Sequence, residues 1–364
     1  MIFVVWLFNV QTGYAIVNNS VAKTLNLSID QVGLIAATYT WVFAVAQLFS
    51  GALLDKLGSR KVLIPAIGLV ILGVFLFAFA QSFEMLLLSQ VVLAMGSCAG
   101  FVGAGYVGGV WFGMAKFGIM FGLVQLVAAL SSAFGQTAFD FALSRWEWRA
   151  IITGFGVFGV LLLIAAVMFV HNPSEVEGEK SGAGEFIASV FRSILEVLKK
   201  RTDLGDQHPR RHRIRHDSGA WRRLGAGSPL INKISNTLKS RKWPIAVTTL
   251  VQVLSLLCVI YLPMSGDVAM VLYFIFGFCN AGHMLNFTAA GDNVPQHLIG
   301  TSASIVNGSM FVAGGLLMGL PGKLLAGTQE TLADYQHAML LTVAALAAAL
   351  LIALLWIKES FPKE

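Results

Sequence analysis

GALLDKLGSRK, residues 51–61, separates two long apolar blocks at about 33–54 and 62–81. Its two glycines have different uses. Gly51, at the end of the first block, lets a neighbouring helix come close, and Gly58 permits the tight turn between two helices. Asp55 stands at the end of the first block, where its carboxylate can pair with Arg60 or meet the positive N-terminus of a neighbouring helix. Lys56, Arg60 and Lys61 put positive charge in the same short link.

Working outward, eight more apolar blocks lie at about 1–21, 84–109, 118–139, 150–170, 244–263, 268–290, 298–320 and 335–357. Each is about 20 residues long, the length a helix needs to cross roughly 30 Å of hydrocarbon. The composition agrees: 56% of the 364 residues are hydrophobic, 12% are charged, and the mean hydropathy is +0.75. Soluble domains carry roughly 25% charged residues. A helix satisfies its own backbone in lipid, and the alternation expected of barrel strands is absent. The chain therefore reads as an all-α polytopic membrane bundle of about ten spans, six before a polar gap and four after it.

The formal charge of +6 is concentrated rather than spread. Residues 172–243 hold 15 of the 25 Lys and Arg against 8 acids, the cytoplasmic excess that orients membrane proteins. The basic links DKLGSRK, WFGMAK and KESFPKE place both termini and the central gap in the cytoplasm. LSRWEWR (143–149) is the exception: it is basic, yet it falls on the other side. The N-terminus, without a basic leader or a cleavage site, reads as a span that starts abruptly. Cys98, Cys258 and Cys279 lie inside apolar blocks without metal or redox spacing and read as small packing residues. No metal site and no cofactor is expected.

Taken together, G-x-L-x-D-K-x-G-x-R-K between two spans resembles the hallmark loop of the major facilitator superfamily. WFGMAKFGIMFGL after the fourth span, WEWRAIITG opening the sixth and VPQHLIGTSASIVNG opening an eleventh-like span are similar to other landmarks of that family. The resemblance covers nearly the whole chain. It implies two six-helix halves that rock about a site near the membrane midplane, a small organic solute as cargo, possible use of a coupling ion, and a monomer in the plasma membrane of a bacterium. A contact made by Asp55 would be intact in one orientation of the halves and broken in the other. A second motif copy is expected, and NKISNTLKSRK (232–242) is a worn one. There Asn232, Ile234, Asn236, Lys239, Arg241 and Lys242 stand where Gly51, Leu53, Asp55, Gly58, Arg60 and Lys61 stand in the first. In the fourth span Gln90 replaces an Arg common in the family and Ala94 its first Gly, and the fifth span lacks a Gly-Pro pair. The substrate and the coupling mode stay open.

Polar residues inside spans mark candidate binding sites. Gln11, Tyr14 and Asn18 share one face of the first span by their spacing. Either they line the central cavity or they hydrogen-bond to other spans. Tyr39, Gln47, Gln90, Gln125, His283, Asn286 and Asn307 are further candidates. Among them His283 titrates nearest neutrality, as a proton carrier or as a buried neutral side chain.

The expected organisation is a first half over 1–171, a central cytoplasmic loop over 172–243 and a second half over 244–364. The loop contains RTDLGDQHPRRHRIRHDSGAWRRLGAG (201–227), with seven of the chain's twelve Arg and no Lys. A seventh and an eighth span should stand here. The abrupt change of vocabulary reads as a frameshifted or rearranged remnant of the seventh span with the eighth lost, which would impair transport. The alternative is a genuine basic loop in a ten-helix protein. Two other function classes compete. A membrane-anchored binding or regulatory protein could use this loop, although Pro209, Gly205 and Gly219 argue against a helix presenting His208, His212 and His216. No aromatic interleaving supports nucleic-acid stacking. A channel would need a filter loop or a ring of charges. Nothing resembles an enzyme's nucleophile elbow, phosphate loop or zinc signature.

Overall fold

The computed structural model describes residues 1–112, 117–171, 183–200, 227–318, 320–325 and 331–361. Among them there is no strand. The first half contains α1 (Ile2–Leu25), α2 (Ile29–Ala78), α3 (Phe83–Ser97), α4 (Gly100–Phe112), α5 (Phe117–Leu143) and α6 (Trp148–Phe169). Then come α7 (Ala183–Lys200), α8 (Gly227–Thr237), α9 (Lys242–Tyr261), α10 (Gly266–Asn280), α11 (Leu285–Asp292), α12 (Ile299–Met318), α13 (Leu320–Leu325) and α14 (Leu332–Leu355). The segment 201–226, including the three histidines, lies outside the described residues.

Two expected spans run together in α2, a 50-residue helix broken only at Gly58. There φ is 77° and ψ 168°, a region open essentially to glycine alone. Ser28 starts the first arm with a capping box, its hydroxyl accepting from Gln31 N–H while the Gln31 side chain accepts from Ser28 N–H. The block at 84–109 is α3 and α4 in series. The block at 268–290 is also composite, since α10 and α11 are joined by a tight turn of 3₁₀ helix at Ala281–Met284 that carries His283.

Seven described segments are long and apolar enough to cross a membrane, and one of them, Asp30–Ala78, holds two of the expected blocks. Thus the seven account for eight of the ten. The other two blocks form α1 and α12, which are helical but rich in Asn, Gln, Ser and Thr. Such helices suit a position where protein, not lipid, covers their polar face.

In lipid, helices associate by close packing rather than by expulsion of water. One buried cluster knits the first half together, with Trp6, Tyr14, Val70, Phe77, Leu93, Trp148 and Ile152 drawn from α1, α2, α3 and α6. A second cluster crosses between the halves. Leu54, Phe101, Phe117 and Phe121 meet Met284, Phe287, Ile299 and Ala303. The Phe121 and Phe287 rings stack at 4.9 Å and Phe101 lies 5.7–5.8 Å from both. The amphipathic α7 rests on α2 and α12, with Phe191 edge-on to Phe49 at 5.4 Å and Val197 packed with Leu298 and Ile305.

Candidate functional site at the junction of the halves

Asp55 does not stop at the edge of its own half. Its Oδ1 accepts from Gly300 N–H at 2.8 Å, and its Oδ2 accepts from Thr301 N–H and the Thr301 hydroxyl, both at 2.7 Å. These amides belong to the first turn of α12, where a helix leaves its N–H groups without an internal partner and carries partial positive charge. Of the two partners expected for Asp55, the structure thus provides the helix N-terminus. Arg60 donates to Val167 O at the end of α6 at 3.2 Å.

Gly51 makes this approach possible. A Cβ there would collide with the Gly300 carbonyl, and one on Gly300 would crowd the Gly51 carbonyl and the Asp55 carboxylate. The backbones of α2 and α12 therefore touch directly. Further along the same seam, Ser304 donates to Leu48 O at 3.3 Å, and Asn307 donates to Gln47 Oε1 at 3.0 Å. Gln47 in turn donates to Ser50 at 2.8 Å. Lys56 and Lys61 sit just past the junction in the turn between the two arms of α2, Lys61 exposed.

The worn second motif mirrors this arrangement in several particulars. Its residues 232–237 lie in α8, which packs on α5. Asn232 stands over Gly118 at the start of α5, where a Cβ on Gly118 would meet the Asn232 and Thr288 side chains. Thr288 donates to Asn232 Oδ1 at 3.1 Å. Lys239, matched to Gly58, likewise has a positive φ, 49°. Arg241 is buried and bonded on all sides. Its guanidinium pairs with Asp292 at 3.0 Å and donates to Asn236 Oδ1 at 2.6 Å and Ser235 Oγ at 3.0 Å. Glu359, from the C-terminal tail, accepts from Arg241 N–H at 2.7 Å and from the Ser240 hydroxyl, and the Phe361 ring lies 4.8 Å under the guanidinium.

The midspan candidates fall into pairs rather than one ring. Gln11 donates to the Tyr39 hydroxyl. Tyr14 is buried against Phe77 at 4.3 Å with its hydroxyl unpartnered, and Asn18 is half-buried. Gln90 is buried and reaches Ser89 at 3.4 Å. His283 Nδ1 is bonded to Asn280 O within its own turn, and Gln125 and Asn286 are half-buried. Asp292, Glu359, Gly300, Thr301 and the pair Gln252–Asn280 (3.3 Å) were not anticipated. For Thr301 the signal was present: a Gly-Thr-Ser run opening a span offers a bare helix start. The basic exception LSRWEWR is explained in part by Arg149, which donates to Ala78 O and Ala80 O at 2.7 and 2.8 Å and so ties off the end of α2.

Comparisons with known proteins agree with this architecture. Residues 1–214 match the profile of the Major Facilitator Superfamily. The probable galactarate/D-glucarate transporter GarP of Escherichia coli K12 is 24% identical over 229 residues, 61% of this chain and 52% of GarP. The chain thus spans about half the length of that relative. The quinolone resistance protein NorA of Staphylococcus aureus MRSA252 is 32% identical over 161 residues, 42% of this chain and 39% of NorA. Among solved structures, a double-Trp variant of XylE superposes with a TM-score of 0.68 at 12% identity, covering 99% of this chain and 95% of XylE. The bromo-deoxyglucose complex of XylE, described as a proton:xylose symporter, gives 0.64 at 12% identity, covering 98% of this chain and 94% of XylE. By name, GarP is a transporter and XylE a symporter, not enzymes. With its first 214 residues matching the family profile and its helices laid out as in XylE, the chain is a multi-pass membrane protein that belongs to the Major Facilitator Superfamily.

Proposed function

We propose that the protein is built as a secondary active transporter of a small organic solute, working by alternating access. One observation carries the reading: the carboxylate of Asp55 in one half closes on the N-terminus of α12 in the other. Backbone amides at a helix start bind a carboxylate only when the two halves meet at that edge. Rocking the halves apart breaks all three hydrogen bonds together, so the contact suits a two-position latch. GarP and XylE carry sugar acids and a sugar by their names, which places polar organic solutes first among cargoes, with a proton as the first coupling ion to test. The candidate contacts are Gln11, Tyr14, Asn18, Tyr39, Gln90, Gln125, His283, Asn286 and Asn307. The protein sits in a bacterial plasma membrane as a monomer, with both termini cytoplasmic.

The same reading holds that transport is impaired in the chain as written. Between α6 and α9 the family plan calls for two full spans, and 201–226 supplies Arg, His, Asp, Gly and Pro instead. Uptake of labelled D-glucarate, D-xylose and a quinolone into proteoliposomes tests both parts. The chain should be inactive, and a version with apolar, span-length helices in place of 201–226 should accumulate one solute. Full activity of the unaltered chain defeats the impairment. Inactivity of the repaired version in every assay, with α-helical content and thermal unfolding intact, defeats the transporter reading.

A further inference from the structure

The link at 143–149, basic on the end of the bundle opposite the Asp55 junction, borders an open cleft of about 470 Å³. Small-molecule sites occupy roughly 300–1,000 Å³. The cleft opens where α1 ends and α6 begins, about 40 Å from Asp55 at 1.5 Å per residue along α2.

Its floor is rigid. Trp148 is buried and donates its indole N–H to the Thr24 hydroxyl at 3.2 Å. Arg149 is held by the Ala78 and Ala80 carbonyls and lies 4.4 Å over the Trp148 ring. All of these partners are neutral. Arg145 lies 4.2 Å over Phe141, also neutral. Among the described residues neither guanidinium pairs with a carboxylate. The rim adds Trp146, 58% exposed, and Glu147, which heads α6 without a side-chain cap.

We propose that this cleft binds a small polyhydroxylated organic acid. Two cations in no ion pair, outnumbering the one carboxylate of Glu147 in the cleft, attract the acid's carboxylate, and Arg145, the more exposed, can turn its fork towards it. Glu147 accepts from hydroxyls, Ser20 exchanges hydrogen bonds with them, Thr24, whose proton goes to Ser20 O, accepts only, and the open face of Trp146 covers the C–H surface. A neutral polyol lacks the group the cations select. The site is distinct from the junction and the midspan candidates, and it does not depend on transport.

Calorimetry on the purified full chain in detergent tests this, with D-glucarate, galactitol, sn-glycerol 3-phosphate and a short-chain phosphatidylglycerol as probes. D-glucarate should bind in the millimolar range, about tenfold tighter than galactitol, since one charge-assisted bidentate contact is worth about that factor. Arg145→Gln should weaken it about tenfold with thermal unfolding unchanged, and Arg145→Lys should retain more of the affinity than Arg145→Gln. Undiminished binding by Arg145→Gln, equal binding of galactitol, or no binding of D-glucarate overturns the proposal. Tighter binding of glycerol phosphate or of the lipid also overturns it, in favour of a phosphate or headgroup site.

Discussion

Lys239 turns the chain between α8 and α9 at φ 49°, as Gly58 turns it between the arms of α2 at φ 77°. The two residues occupy matching places in the two motif copies, yet the backbone tolerates them unequally. A non-glycine residue in the left-handed region carries about 1–2 kcal/mol of strain. Gly58, with ψ 168°, lies where any Cβ costs about 1–3 kcal/mol. Lys239→Gly should therefore raise equilibrium stability in detergent by up to about 1 kcal/mol, while Gly58→Ala lowers it by at least that much. Similar losses at both positions would show that the turns are not equivalent.

Asp55→Asn keeps one accepting oxygen and presents an amide N–H₂ to at least one of the three donors. At least one hydrogen bond to a charged group is lost, worth about 1.5–3 kcal/mol. The seam should open more often, and a cysteine in it should react faster. Ser304→Cys, buried on α12 beside Leu48 O, should label at least about tenfold faster with an aqueous thiol reagent in the Asp55→Asn background. In a repaired, active version, turnover should fall while solute binding stays close to normal. An unchanged labelling rate would count against the latch.

The C-terminal tail gives a pH dependence with a definite sign. Burial pushes the Glu359 carboxyl up, but hydrogen bonds from Arg241 N–H, the Ser240 hydroxyl and Phe361 N–H outweigh it and hold the group below the ordinary glutamate range. The released tail therefore takes up a proton first as pH falls. Docking is favoured in full above the ordinary glutamate pKa, and that advantage is lost on acidification from there through the lower, docked value. Proteolysis at the tail should accelerate over that acid interval. Glu359→Gln should be cleaved quickly at neutral pH, with little further change in acid.

Reporter fusions at Ser181 and Lys363 should both report the cytoplasm, because six spans precede the first site and an even number precede the second. Opposite sides for the two would end the topology proposed above.

Another expectation concerns the face of α5 that α8 does not reach. Asn232 meets α5 at Gly118, near its start, whereas Leu130, Phe134 and Phe141 farther along are 46–73% exposed. A complete eighth span would run N-terminally from α8 over that stretch. That span is the lost one; in another frame the coding DNA across codons 190–245 should reveal apolar, span-like sequence for the seventh. If every frame is polar there, the frameshift reading fails.

The spans and the hallmark loop were legible because block length and charge placement are properties of composition. The partner of Asp55 could be named only as a class. Gly300 and Thr301 contribute backbone N–H groups, which every residue but proline owns, so the Gly-Thr-Ser run marks a bare helix start without saying which carboxylate meets it. Pairing hid in the same way: Gln47 and Asn307 were each suspected, but their contact spans 260 positions. The helix α8 escaped detection because Asn232, Lys233, Ser235, Asn236 and Thr237 break its apolar pattern, although its shorter apolar face packs on the bundle. Glu359 was read as part of a charged tail because its partners, Ser240 and Arg241, become its neighbours only once α9 and α14 lie side by side.

Asp55 grips main chain, apart from the one Thr301 hydroxyl. The two sides of the latch therefore answer to mutation differently. At 301 the N–H donor survives most replacements, but at 300 even a Cβ would crowd the Gly51 carbonyl and the Asp55 carboxylate. On the α2 side nearly every replacement of Asp55 removes the acceptor. Drift at 55 or at 300 erases the latch, whereas drift at 301 spares two of its three hydrogen bonds. A copy can thus decay at many positions and still display an intact hallmark loop beside an intact helix start, and the appearance of that loop says little about whether the rest still moves anything.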